Sequence, residues 1–294
     1  MKKTNSLFNI FLSITLFSSV IALIFASLSL SLRYSEVIAN IKVNSPISIV
    51  FIIFMTLSVL LPVVQAFVIK DYKITRIKND TIFSKISSIL VSCLLFALSI
   101  ADLVSIGKGA SSNPYYSLEI WKLLRAFIAV PFILSLIFNS FLRNARIPAF
   151  VRYACSISPI AWTLFSVLAI YFHKGPAPMP EFFRIMFSLV YIFSALFFLY
   201  DFKWNYLTSN TKFYVAISTI FTSFSFIVSI SSLVGLIFGL SSNHIVISAV
   251  EMIASFSLGI YSLARLLSIK RAVSITAKQE NAKIEHCLKQ NEKK

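Results

Sequence analysis

The sequence predicts an all-α membrane protein, a polytopic bundle of about eight transmembrane helices. Three observations carry that expectation. Hydrophobic residues make up 57% of the chain and charged residues only 13%, with a mean hydropathy of +0.84, whereas about a quarter of an ordinary soluble domain is charged. Apolar stretches of the length needed to cross about 30 Å of hydrocarbon recur along the chain. Lysine and arginine gather in alternate gaps between those stretches, the pattern left by the resistance of cations to translocation.

Inside a bilayer every backbone group must be hydrogen-bonded within the protein, so such stretches are read as helices. They run from Leu7 to Leu32, Pro46 to Ile69, Ile86 to Ile106, Leu123 to Leu142, Tyr153 to Phe172, Phe182 to Tyr200, Phe213 to Phe238 and Ile245 to Ile269. The first follows Lys2 and Lys3, as a secretory signal would, but it is longer than a signal core of about 7 to 15 residues and is expected to be retained.

One face of the membrane collects Lys2, Lys3, Lys70, Lys73, Arg76, Lys78, Lys85, Arg143, Arg146, Arg152, Lys203, Lys212, Arg265, Lys270, Arg271 and the basic tail. The other holds Arg33, Lys42, Lys108, Lys122, Arg125, Lys174 and Arg184. Both termini are therefore expected in the cytoplasm, with the chain in the cytoplasmic cell membrane. The net charge of +16 reports topology, and it favours anionic lipid of the inner leaflet beside Lys270 and Arg271. Nucleic acid is not an expected partner, since the cations are dispersed and form no recognition module.

Residues 71–109 recur, without a gap, as residues 201–239. Asp71, Lys73, Thr81, Phe83, Ser88, Phe96, Ser99, Ile100, Leu103, Val104 and Gly109 return as Asp201, Lys203, Thr211, Phe213, Ser218, Phe226, Ser229, Ile230, Leu233, Val234 and Gly239. This points to two parallel four-helix repeats, 1–142 and 143–269, followed by a basic cytoplasmic tail, 270–294. The Asp-aromatic-Lys corners, Asp71-Tyr72-Lys73 and Asp201-Phe202-Lys203, read as interfacial anchors with their charges in water.

Pro62, Pro131 and Pro159 fall inside spans, where each removes a backbone donor. Ser231, Gly235 and Gly239 share a small-xxx-small register in the seventh span, a candidate helix-packing face. The proline-dense loop from His173 to Pro180 reads as a stiff connector. Cys93, Cys155 and Cys287 have no spacing that suggests a disulfide framework or a metal site. No metal and no cofactor is expected.

Charged groups within spans cost about 2.5–3.5 kcal/mol each on insertion scales and normally face a partner or water. Asp102, Arg125, Arg184 and Glu251 fall at comparable depth in the outer half of the bilayer and form the candidate polar site, with Glu119 and His244 just above. Either they line an outward-facing pocket, or they pair with one another or snorkel to the nearby interface. The chain lacks HExxH, GxSxG and GxxxxGK[ST] patterns, so no enzyme is expected.

The run Trp121-Lys122-Leu123-Leu124-Arg125 leading through Pro131, the loop from Arg143 to Arg152 and the segment from Phe226 to Val234 resemble a group of multi-pass membrane proteins of Gram-positive Firmicutes. The resemblance covers most of the spans and implies architecture and a bacterial cytoplasmic membrane; it brings no activity with it. The expected function is that of a non-enzymatic membrane component acting through lipid, an unknown protein partner or a second copy of itself. The alternative is a small-solute or ion transporter with an outward-facing polar site.

Overall fold

The computed structural model describes residues 2–33, 46–68, 81–112, 120–142, 146–172, 181–206, 211–237, 252–269 and 271. The helices in chain order are α1 (Lys2–Arg33), α2 (Pro46–Val68), α3 (Ile82–Ser112), α4 (Ile120–Ser140), α5 (Ala149–Tyr171), α6 (Glu181–Tyr206) and α7 (Thr211–Ile237). They are followed by α8 (Met252–Ile269). Among the described residues there is no strand. Helices α2 to α8 are long and apolar enough to cross a membrane, and α1 is one continuous helix whose described apolar stretch is Leu12–Ala26.

Successive helices run antiparallel, so the bundle has a near end, where α1 begins and α8 stops, and a far end. Helix α7 lies at the centre, packed against α1, α2 and α6 and against α8 through Ser225 and Ser255. A second row, α3, α4, α5 and α6, packs in chain order. Most of α7 and α8 is buried, whereas α2, α3 and α4 turn most of their surface outward. Exposed Phe67, Phe96, Phe127 and Phe150 are the outward apolar surface expected of helices solvated by lipid.

The core is unusually aromatic. Phe132 of α4 meets Trp162 of α5 and Phe198 of α6, at ring separations of 5.6 and 5.0 Å. Trp162 continues to Tyr191, and Phe197 lies against Tyr214 and Phe221 of α7 and Tyr261 of α8. Lipid tails are as apolar as these rings, so burial alone gives little driving force between helices in a bilayer. Close van der Waals packing and hydrogen bonds hold such bundles together.

Serine supplies the hydrogen bonds. Ser19 of α1 reaches Ser58 of α2 at 3.3 Å and Ser223 of α7 at 2.8 Å, a three-helix junction. Ser88 of α3 and Ser140 of α4 lie 2.6 Å apart. Thr81 accepts from the Ser84 backbone N–H, capping α3, and lies 2.9 Å from Ser268 of α8. In α5, Pro159 deprives the Cys155 carbonyl of its helical partner, and the Ser158 hydroxyl donates to that same carbonyl at 2.6 Å. The kink-prone proline thus leaves no orphaned acceptor there, which is how proline is tolerated in membrane helices.

Helices α7 and α8 approach closely at Gly259. A Cβ placed there would lie 2.5 Å from Ser225 Oγ and 2.8 Å from Ser225 Cβ, whereas one at Gly107 would meet nothing within 4 Å. Gly259→Ala is therefore expected to cost about 1–3 kcal/mol by overpacking, and Gly107→Ala to gain about 0.5–1 kcal/mol from helix propensity. Thermal unfolding of the two variants in the same lipid checks the pair; a harmless alanine at 259 would refute the close approach.

Candidate functional site

Among the described residues two salt bridges are buried in the bundle, one toward each end. At the far end, Asp102 lies on α3, about 30 Å along that helix from Ile82, and Arg125 sits in the second turn of α4. Arg125 Nε donates to Asp102 Oδ2 at 2.8 Å and Nη2 to Oδ1 at 2.7 Å. This is the side-on bidentate geometry in which guanidinium and carboxylate match best. Both side chains are almost fully enclosed, 2% and 7% exposed. One turn earlier on α4, Trp121 lies against Phe165 and Phe172 of α5.

At the near end, Arg265 of α8 donates through Nε and Nη2 to Asp201 Oδ1 of α6, at 3.0 and 2.8 Å. The Tyr214 hydroxyl of α7 donates to the same oxygen at 2.7 Å, and Asn205 Nδ2 donates to Oδ2 at 3.1 Å. Arg265 Nη2 also donates to Asn205 Oδ1 at 3.1 Å. The indole of Trp204 stacks on the Tyr214 ring, 5.8 Å away. One carboxylate thus ties together three helices.

Of the candidate polar residues, Asp102 and Arg125 come together as a pair. Arg184, half-buried near the start of α6, places its guanidinium over the Tyr171 ring at 5.4 Å, a cation–π contact. Glu251 lies outside the described residues, as do Glu119, His244 and Gly239. Ser231 is buried and its hydroxyl donates within α7 to the Ile227 carbonyl; Gly235 falls in the last turn of that helix. Gly259 of α8 lies at the crossing with α7, against Ser225.

The reading of Asp201 as an interfacial anchor is corrected. Asp201 is 4% exposed, because α6 does not stop at Tyr200 but continues to Tyr206, carrying Asp201 into the interior. Arg265, counted among the flanking cations, is its partner and is likewise 4% exposed. Residue type and position held the signal: an arginine four residues inside the last apolar stretch needs a counter-charge, and Asp201 lies at the matching end of the bundle. The other corner, Asp71-Tyr72-Lys73, lies outside the described residues.

Gln65 went unnoticed in the sequence. It lies one turn from the end of α2, 2% exposed, with neither amide atom hydrogen-bonded. Its signal was simply a primary amide inside a span. Among the described residues no three of His, Cys, Asp and Glu converge as metal ligands would, and Cys93 and Cys155 are both free thiols.

Fold and composition together define a polytopic α-helical integral membrane protein. Compared with protein families, curated proteins and solved structures, the chain finds no match in any of the three.

Proposed function

We propose that the protein is a non-enzymatic component of the bacterial cytoplasmic membrane that works by holding a lipid or protein partner at its surface. The observation that carries this reading is that the two buried acid–base pairs are spent on each other. Asp102 is engaged by both arms of Arg125, and Asp201 by Arg265, Tyr214 and Asn205. Aromatic rings of α4, α5, α6 and α8 pack against one another between the pairs. A carrier of charged solutes needs ionised groups directed at a cavity, and these are directed at one another.

Both termini are assigned to the cytoplasm. Among the described residues Lys2, Lys3, Lys85, Arg146, Arg152, Lys203, Lys212, Arg265 and Arg271 belong to the near end, against Arg33, Lys108, Lys122, Arg125 and Arg184 at the far end, and the positive-inside bias supports the orientation. The 130-residue correspondence supports two related four-helix units. Thr81 and Thr211 both stand at helix starts, and Ser88 and Ser218 both donate to the carbonyl four residues back. The units are interleaved, since α7 of the second packs on α1 and α2 of the first.

The test is thermal unfolding in nanodiscs of neutral or anionic lipid, with ions, amino acids and nucleosides added in turn. A ligand at about 100 times its Kd adds about 2.7 kcal/mol to stability. Anionic lipid is expected to raise Tm and soluble compounds to leave it unchanged. A soluble compound whose stabilisation is lost in Arg184→Gln would replace this reading with that of a transporter carrying an outer site.

A further inference from the structure

Helix α7 presents hydroxyls in strict 4-3 spacing, Ser218, Thr222, Ser225, Ser229 and Ser232, which is one face of a helix. That face meets α8. Ser225 donates to the Ser255 carbonyl, the Ser262 hydroxyl donates to the Ser218 carbonyl, and Gly259 packs on Ser225. Helix α6 adds Tyr191, Ser194, Phe198 and Asp201 on a single 3-4-3 stripe. Tyr191 reaches Ser255, and Phe198 stacks on Tyr261.

Membrane serines and threonines ordinarily satisfy themselves on the carbonyl three or four residues back. Ser218 and Thr219 in this same helix do so, at 2.7 and 2.8 Å. Thr222, Ser229 and Ser232 of α7 and Ser194 of α6 do not: each is at most 1% exposed, and none has a hydrogen-bond partner in the protein. Four stranded hydroxyls along one seam are costly in a medium that offers nothing to bond. Water removes that cost where it finds room for itself and two to four polar groups.

We propose that the α6–α7–α8 seam binds a file of water molecules, held by Ser194, Thr222, Ser229 and Ser232 and reaching toward the Asp201–Arg265 pair. Serine and threonine carbonyls along α7 and α8 complete the polar lining, and the aromatic layer of α4 and α5 stays dry beside it. The Asp201 carboxylate, already holding Arg265, Tyr214 and Asn205, plugs the file at the near end.

The experiment uses the full chain in liposomes, with Cys93, Cys155 and Cys287 changed to serine. Thr222→Cys and Ser229→Cys are expected to react with aqueous silver ion at least tenfold faster than Ile253→Cys, which faces lipid. Equal rates would overturn the proposal. Thr222→Val, an isosteric change, gives an independent reading. A dry hydroxyl is replaced at no cost or with a gain in Tm, which would also overturn the proposal; a hydroxyl that holds water is expected to be missed, with a Tm lower by several degrees. Proton flux across the same liposomes separates this file from the function proposed above. Silver reactivity behind a tight proton barrier supports a plugged file and leaves that function standing, while reactivity with flux supports the file and overturns that function.

Discussion

Arg265→Ala is expected to destabilise the protein by about 3–5 kcal/mol, the cost of stranding a buried charge whose partner has been removed. Asp201 would keep Tyr214 and Asn205 but lose both bonds from the guanidinium. Against a total stability of about 5–15 kcal/mol, that is enough to lower the yield of folded protein sharply. Arg125→Ala should behave alike at the far end. The decisive comparison is the double variant Asp201→Leu with Arg265→Leu, expected to recover most of the loss, because an ion pair replaced whole by packed apolar groups is often neutral or stabilising. Unfolding curves in one lipid measure all of these. Single variants that keep wild-type stability would show that the pairs are not structural, and Asp102→Asn that lost ligand binding at full yield would return the far-end pair to the role of a binding site.

The second large effect is expected at Phe197. Its ring is fully buried and touches Phe198, Tyr214, Phe221 and Tyr261, so Phe197→Ala opens a void shared by α6, α7 and α8. In water-soluble cores such a truncation costs about 3–5 kcal/mol. In a bilayer the transfer share is small, since the unpacked ring would still sit among hydrocarbon, and the packing share remains. A loss near the lower end of that range is expected, against almost none for Phe96→Ala on the lipid-facing side of α3, where the ring is 60% exposed. Similar Tm values for the two variants would contradict a packed aromatic core.

Much of the architecture was legible because a bilayer leaves a chain few choices: apolar runs of sufficient length become helices, and the charges between them mark the ends. What failed was the treatment of Asp201 and Arg265 as end markers. A hydropathy reading stops a helix at its first charge, yet α6 runs on past Asp201 to Tyr206, because Arg265, Tyr214 and Asn205 supply the bonds that water would have given. Such a partner is 64 residues away in the chain, and nothing local announces it. The far-end pair was foreseeable, since Asp102 and Arg125 belong to adjacent spans and fall at comparable depth. The tight contact at Gly259 was missed because a lone glycine shows no spacing pattern; only the facing Ser225 reveals that a side chain would not fit.

The two charged pairs also differ in when they can form as the chain is made. Asp102 and Arg125 are separated by 23 positions, so a hairpin of neighbouring helices can enter the membrane already neutralised. Asp201 must wait for α8, which carries its guanidinium partner Arg265. Closure of that pair therefore comes later in synthesis than closure of the far-end pair. A chain cut short before Arg265 leaves the Asp201 carboxylate without its guanidinium partner inside the membrane.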